Sequence, residues 1–172
     1  MSNGYYQKLL RVNLTNRKAQ VESIAEEDLK KFIGGAGLAA EILRRELPGK
    51  LSAYDPRNKV IFGAGPFQGP PIAGGAKFSI AAISPLTATF GDTAAGADWG
   101  PALKDAGYDV LVVEGVADKP VYLRMVDKQV KIEDAAYLWG RDSDHALLEQ
   151  RVDHIETRSK GGHPEQSPKQ SL

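Results

Sequence analysis

The most informative absence in this 172-residue chain is cysteine, which does not occur at all. Without thiols the chain can form no disulfide bond and can offer no thiolate to a zinc ion or an iron–sulfur cluster. Its three histidines, His145, His154 and His163, match no metal-ligand spacing. The sequence therefore offers no candidate metal-ligating residue.

Net charge is absent as well, because 22 Lys and Arg residues balance 22 Asp and Glu residues. Such a chain lacks the positive field that neutralises phosphates, so we do not expect nucleic-acid binding. Long apolar runs are also missing: residues 110–113 form one of the longest, which is strand-sized and far shorter than a membrane span. No secretory signal is readable near the N-terminus, so we expect a cytoplasmic location without membrane association.

The spacing of apolar residues predicts strands mixed with short helices. Alternation predicts a half-buried strand over residues 10–15, a turn at Asn16-Arg17 and a return strand. Ser23-Ile24-Ala25-Glu26 fits a capping box at the start of a helix that ends at Gly34-Gly35. The further predicted elements are a helix over 37–47, strands over 59–63, 78–83, 109–114, 121–126 and 129–132, a turn at Asp127-Lys128 and a surface helix from Asp142 to about Val152.

Residues 63–107 differ from the rest of the chain in composition, since they hold half of its 18 glycines and half of its 10 prolines. Glycines let backbone amides approach a ligand without interference from side chains. Lys77 follows the glycine run 74–75 and is the only cation between Lys59 and Lys104. We expect this segment to lie against a ligand, with one short helix that has Pro101 in its first turn.

Two common nucleotide motifs fail in this chain. Residues 69–77 have the outer spacing of a phosphate loop, but Gly75 stands where that motif requires lysine. Residues 35–40 match a dinucleotide fingerprint, yet they follow a predicted helix instead of the required strand. We therefore interpret residues 35–40 as a corner between two helices, and nicotinamide-dependent dehydrogenase activity stays as an alternative.

The second cluster of small residues, 91–100, leaves two interpretations open. It can be a tight loop that leads into the Pro101 helix, or a stretch of backbone that faces a flat or bulky ligand. From Thr157 onward the chain is polar, with a single large apolar residue at its end, and is expected to be disordered. The predicted organisation is a domain over residues 1–156 and a tail over 157–172.

Three collinear stretches together resemble the aldehyde:ferredoxin oxidoreductases, which are tungsten or molybdenum enzymes with a bis-pterin cofactor. The resemblance covers about residues 5–150, and each stretch alone is modest. The stretches are 10–15 with 32–38; 58–66 running to 84–87; and 91–109 continuing to 114–115, 119–123 and 138–140.

The resemblance implies the N-terminal domain of that family, an α+β fold of paired β-sheet layers with a few short helices. It implies that the bis-pterin rests on the backbone of Gly74, Gly75, Ala76 and Gly96, with Lys77 as the charged contact. The family usually has arginine at that position, and lysine cannot offer the same bidentate fork. Residues 94–99 also lack an amide side chain that many members carry, so of that loop only the backbone contact of Gly96 carries over.

The resemblance implies a role in oxidising aldehydes to carboxylic acids, with electrons passed through an iron–sulfur cluster to ferredoxin. The family's [4Fe–4S] cysteines and its catalytic groups lie in a C-terminal part that this chain does not contain, so we assign no catalytic residue. We expect a truncated domain, inactive alone, that could form a homodimer or pair with a complementing C-terminal chain. The alternative is an inert fragment or partner-binding module without cofactor.

Overall fold

The computed structural model describes residues 4–68, 72, 74–96, 98–126 and 129–142. The chain divides into two compact units between Asp134 and Ala135. In the first unit the described elements are strands β1 (Lys8–Asn13), β2 (Lys18–Ser23), β3 (Lys59–Gly63), β4 (Phe78–Ile83), β5 (Phe90–Ala95), β6 (Val110–Glu114), β7 (Val121–Val126) and β8 (Gln129–Asp134), and helices α1 (Glu26–Phe32), α2 (Gly35–Glu46) and α3 (Trp99–Asp105). The second unit has a 3-10 helix, Ala136–Leu138.

The strands form one large sheet and one hairpin. The large sheet has six strands in the order β2-β1-β6-β3-β4-β5. Its one parallel pair among the described strands joins β1 to β6, with Leu10 opposite Leu111, and its other pairs are antiparallel. Strands β7 and β8 pair with each other, with Leu123 opposite Ile132. The predicted hairpin is confirmed, although its turn at Asp127-Lys128 lies outside the described residues.

The large sheet is covered on both faces. Helices α1 and α2 pack on one face through Leu29, Leu38 and Leu43. Helix α3 contributes Leu103 to the other face, where the β7–β8 hairpin packs through Leu123 and Ile132. Burial of such side chains is the main favourable term in folding. The expected α+β fold with paired sheet layers and a few short helices is confirmed.

Strand β1 is buried on both faces and not on one. Leu9, Leu10, Arg11 and Val12 are all at most 9% exposed. The alternation of apolar and polar residues predicted a half-buried strand, which is wrong because β1 lies inside the sheet, between β2 and β6. The buried Arg11 is tolerated because carboxylates surround its guanidinium.

The predicted capping box is wrong, although the helix that it introduces exists. Ser23 is the last residue of β2 and pairs with Lys8, so its hydroxyl does not cap α1. The residue that precedes α1 is Ala25, which makes no side-chain capping bond. Three acidic residues in the first turn, 26–28, are placed instead where the helix dipole favours negative charge.

Residues 91–95 form a strand and not a tight loop. Asp92, Thr93 and Ala94 pair with Ala81, Ile80 and Ser79 of β4. Gly, Asp and Ala have low strand propensity, but the neighbouring β4 supplies a partner for the backbone and overrides that preference. The helix that follows, α3, has Pro101 in its first turn, as expected. It ends shortly before Gly107, which adopts a positive φ.

The glycines of residues 35–40 form a helix corner that packs closely against β3. Helix α1 precedes them, so the strand that a dinucleotide fingerprint needs is not there. The amide of Gly35 donates to the carbonyl of Ala64 at 3.2 Å. A Cβ on Gly63 would lie 2.7 Å from the Gly35 carbonyl oxygen, so the two backbones touch.

Several sequence-based predictions concern residues outside the described ranges. They are the surface helix from Asp142 to about Val152, the polar tail 157–172 and the domain boundary after residue 156, all of which stay predictions. In the part of the chain that the structure describes, no helix is both long and apolar enough to cross a membrane.

Candidate functional site

Four loops meet at one edge of the large sheet. Strands β3 and β5 end at this edge, while β4 and β6 begin there, since Gly63 pairs with both Ser79 and Val110 and Phe78 pairs with Ala95. The segments 64–68, 74–77, 96–99 and 107–109 therefore lie at the same edge. This placement brings the glycine run near Lys77 to the same end of the sheet as the loop that contains Gly96.

The segment from Gly74 to Lys77 is a short turn that leads into β4. The amide of Gly75 donates to the carbonyl of Ile72 at 2.9 Å. Gly74 has a φ of 79°, a conformation that favours glycine. A Cβ on Gly75 would lie 2.7 Å from the Phe67 carbonyl oxygen, whereas a Cβ on Gly74 would meet no atom within 4 Å. Gly75 is thus packed against the loop beneath, and Gly74 faces open space.

The ammonium group of Lys77 is available to a ligand. The residue is exposed, and among the described residues no carboxylate lies within ion-pair distance of its Nζ atom. Lys104, in contrast, is held by a buried carboxylate at the same edge. Lys77 therefore offers an unneutralised positive charge beside the exposed backbone of Gly74.

Gly96 lies across from Lys77. Phe78 and Ala95 are partners in the β4–β5 ladder, so Lys77 and Gly96 are the next positions of the two chains. Gly96 is exposed, and a Cβ built on it would meet no atom within 4 Å. Gly74, Lys77 and Gly96 thus form an open surface of backbone with one cation, and we call these residues, together with Gly75 and Ala76, the platform.

Three aromatic rings pack together next to the platform in sequence, because Phe78 directly follows Lys77. The Trp99 ring lies 4.6 Å from the Phe78 ring and 4.8 Å from the Phe62 ring, measured between centroids. Trp99 also lines a cavity of about 470 Å³ between α3 and the hairpin, with Leu103, Leu123 and Met125. Sequence reasoning did not assign Trp99 to the site, although its position three residues after Gly96 is a usable signal.

A contact to the platform comes from Gln68, which sequence reasoning missed entirely. Its side chain is 4% exposed, and its amide nitrogen donates to the carbonyl of Lys77. No composition or spacing signal marks this glutamine, because the contact joins two loops that only the fold brings together.

A buried ion pair fixes the N-terminal segment at the same edge. Lys104 is paired with Asp109, and both residues are at most 3% exposed. The Lys104 ammonium also donates to the Gly4 carbonyl at 2.8 Å, while the Tyr6 amide donates to Asp109 at 2.9 Å. Burial, reinforced by the Asp109 charge, raises the pKa of Tyr5. These contacts are structural, because neither charge reaches solvent.

The opposite edge of the sheet carries a larger charged network. Arg11 donates to Glu22, Glu46 and Glu114 at distances between 2.7 and 3.1 Å, and Lys59 contacts the last two. Burial by itself lowers the pKa of Arg11, but its hydrogen bonds to Glu22 and Glu46 outweigh this effect and raise it. The hydrogen bond from Arg11 lowers the pKa of Glu22. The hydrogen bonds between Arg11 and Glu22 therefore favour the charged forms of both groups.

The titratable side chains described above form ion pairs with one another and do not gather into a metal site in the described part of the chain. Within the described ranges, no group of three or more His, Cys, Asp or Glu side chains is placed to hold a metal ion. The platform offers backbone groups and one ammonium. Such groups are able to contact a ligand through hydrogen bonds and one positive charge.

Comparison with known proteins assigns the chain to a family. It matches the family model for the aldehyde ferredoxin oxidoreductase N-terminal domain over residues 9–159. The tungsten-containing aldehyde ferredoxin oxidoreductase of Pyrococcus abyssi is 38% identical over 162 residues, which are 92% of this chain and 27% of that protein. The WOR-like subunit of an aliphatic sulfonate oxidoreductase of Pyrococcus furiosus is 38% identical over 140 residues, 80% of this chain and 22% of that subunit.

A solved structure supports the same assignment. The active site complex BamBC of benzoyl coenzyme A reductase, in complex with 1,5-dienoyl-CoA, has a TM-score of 0.87 and 29% identity. The match covers 92% of this chain and 24% of that one. The chain thus spans about a quarter of the length of the proteins that it matches. It belongs to the aldehyde ferredoxin oxidoreductase family and corresponds to the N-terminal domain of that family.

Proposed function

We propose that this chain supplies part of the binding platform for a tungsten bis-pterin cofactor in an aldehyde-oxidising oxidoreductase. The observation that carries the proposal is the convergence of Gly74, Lys77 and Gly96 at one edge of the sheet. Family membership and the tungsten-containing relatives support the identity of the cofactor.

The platform residues fit such a group. A flat cofactor needs a surface without protruding side chains, and a Cβ at Gly74 or Gly96 would meet only open space. Phosphate groups carry negative charge, which the exposed ammonium of Lys77 complements. Gly75 and Ala76 continue the backbone surface between Gly74 and Lys77. In this proposal the five residues hold and orient the cofactor and take no part in proton transfer.

The chemistry itself comes from the cofactor and from other parts of the enzyme. When bound, the metal-pterin accepts two electrons as an aldehyde is converted to a carboxylic acid. The [4Fe–4S] cluster that passes these electrons to ferredoxin needs cysteines, which this chain lacks. We therefore propose that catalysis requires a further part of the protein or a complementing chain.

Direct binding to the chain of 172 residues tests the proposal. The Trp99 ring packs on Phe78, the residue that follows Lys77. The chain has two tryptophans, so a Trp139→Phe background leaves Trp99 as the only one. Tungsten bis-pterin, released anaerobically from a denatured relative, is titrated while Trp99 emission is recorded. We expect a saturable change. Lys77→Ala should weaken binding about tenfold, because one charge-assisted hydrogen bond is lost.

Two further variants make the test specific. Gly96→Val adds a side chain to the open surface and should reduce affinity without changing the urea unfolding midpoint. Lys77→Arg should bind at least as tightly as the wild type, because its guanidinium can form a bidentate contact with phosphate. Lys50→Ala, an exposed lysine in another loop, is the matched control and should have no effect. Emission that does not saturate in the wild type would refute the proposal and favour the inert fragment.

A further inference from the structure

Gln68 joins the turn after β3 to the platform. It ends a turn that begins at Gly65, whose carbonyl accepts from the Gln68 amide at 3.5 Å. Its side chain is 4% exposed, and its Nε2 atom donates to the carbonyl oxygen of Lys77. The residue thus holds the backbone of the platform at the position of its only cation.

The oxygen of the same carboxamide, Oε1, has no hydrogen-bond partner among the described residues. Across the residues that the structure describes, the Gln68 Oε1 atom is the one buried side-chain oxygen or nitrogen left unpaired. A buried acceptor without a donor destabilises a folded protein, whereas an apolar side chain of similar size avoids that cost. The cost of the unpaired Oε1 atom therefore offsets what the Nε2 hydrogen bond contributes to folding.

Gly100 provides the space that the unpaired oxygen occupies. A Cβ on Gly100 would overlap Oε1 of Gln68 and would lie 2.8 Å from its Cδ atom. Gly100 is itself buried in the first turn of α3. Gln68 is consequently held between α3 and the platform, and residue 100 must lack a side chain for Gln68 to keep its orientation.

We propose that Gln68 is a positioning residue of the platform. Its side-chain Nε2 atom holds the Lys77 carbonyl in place. This hydrogen bond sets the direction in which the Lys77 ammonium and the preceding backbone face a ligand. The inference rests on the proposed function for the identity of that ligand. In this proposal glutamine occupies position 68 although its unpaired Oε1 atom lowers stability, because its Nε2 donor serves ligand binding and not folding.

Gln68→Met separates positioning from packing, because it keeps the size of the side chain and removes both polar groups. We expect its urea unfolding midpoint to equal or exceed that of the wild type. Native-state trypsin cleavage after Lys77, quantified by mass spectrometry, should rise about fivefold, as expected for one lost hydrogen bond. Its affinity for tungsten bis-pterin, measured by Trp99 emission, should fall by a similar factor.

Matched variants sharpen the result. Gln20→Met replaces an exposed glutamine on β2 and should change neither cleavage nor affinity. Gly100→Ala should raise cleavage after Lys77 when Gln68 is present, because the new methyl displaces the amide. The same substitution in a Gln68→Ala background should add little, since the two residues act through one contact.

The outcomes distinguish this inference from the proposed function. A wild-type chain that binds the cofactor, with Gln68→Met altering neither cleavage nor affinity, overturns the positioning role and leaves the platform intact. A lowered unfolding midpoint that accounts for the extra cleavage also overturns it, because Gln68 would then act through packing. Increased cleavage at unchanged stability, in a chain that does not bind the cofactor, supports the Lys77 contact and refutes the proposed function.

Discussion

At the scale of single residues, Arg11 shows how a charge is accommodated inside this sheet. Its guanidinium donates to carboxylates from β2, β6 and the end of α2, so one side chain links three elements to β1. A planar guanidinium suits this arrangement because it offers five donors in fixed directions. The residue is 9% exposed, and its positive charge pairs with the three carboxylates that surround it.

Replacing Arg11 should therefore destabilise the fold. Arg11→Met removes a cation that pairs with Glu22, Glu46 and Glu114, whereas Lys59 pairs with the last two alone. We expect a loss of about 3 kcal/mol in unfolding free energy. Urea denaturation at pH 7 measures this change. Lys30→Gln is the control, because it removes an exposed ion pair with Glu26 and should cost less than about 0.5 kcal/mol. Equal effects of the two variants would contradict the role assigned to Arg11.

The lowered pKa of Glu41 predicts part of the dependence of stability on pH. The guanidinium of Arg44, assisted by that of Arg45, lowers the pKa of Glu41 to about 2. An unfolded glutamate has a pKa of about 4.3, so this contribution is complete above about pH 5 and declines as the pH falls towards 2. Urea midpoints between pH 7 and pH 3 should therefore fall less steeply for Glu41→Gln than for the wild type.

At the scale of elements, the α1–α2 corner is defined by backbone contact with β3. Ile33, Gly34 and Gly35 have φ values of 66°, 132° and 51°, which reverse the chain between the two helices. A Cβ on Gly34 would lie 2.5 Å from the Ala64 carbonyl oxygen, and Gly63 meets Gly35 equally closely. The glycines that resemble a nucleotide fingerprint thus serve helix–sheet packing.

Gly63→Ala should be strongly destabilising, because its methyl group has to displace backbone and not a flexible side chain. We expect a loss of about 2 to 3 kcal/mol, typical of overpacking in a well-packed interior. Gly49→Ala is the matched control, since a Cβ there would meet no atom within 4 Å and its effect should stay within about 0.5 kcal/mol. Thermal or urea unfolding of both variants provides the comparison, and similar losses would show that the corner is not closely packed.

At the scale of the whole molecule, the two outermost strands of the large sheet are open to pairing in the described part of the chain. Strands β2 and β5 each have a neighbour on one side, and β5 is exposed along most of its length. Open edges can pair with other chains, which leads to association. The matched region is 27% of the Pyrococcus abyssi relative, so the remaining length of that protein has room to supply a cover.

We therefore expect this chain to associate through β5 in a concentration-dependent manner. Thr93→Lys places a charge on the exposed edge and should reduce light scattering without lowering the unfolding midpoint. Ser52→Lys adds the same charge in a loop and should not reduce scattering. A wild-type chain that remains monodisperse up to millimolar concentration would contradict the prediction.

The sequence by itself determined the family, most of the elements and the glycine-rich character of the site. Strands over 59–63 and 78–83 and the α2 helix could be predicted because local spacing and glycine positions encode them. Collinear motifs over most of the chain carried the resemblance, and the family match confirms it. The absence of cysteine followed directly from the sequence and excludes a thiolate-held iron–sulfur cluster in this chain.

Only the tertiary structure decided which of these residues lie together. Residues 91–95 become a strand because β4 pairs with them, and this pairing brings Gly96 opposite Lys77. Gln68 reaches the Lys77 carbonyl across a loop, so no local pattern could reveal it. Arg11 is buried because β1 lies inside the sheet, although its neighbours alternate like a half-exposed strand. The physical reason is common to all three: these contacts join residues far apart in sequence, whereas spacing reports only on near neighbours.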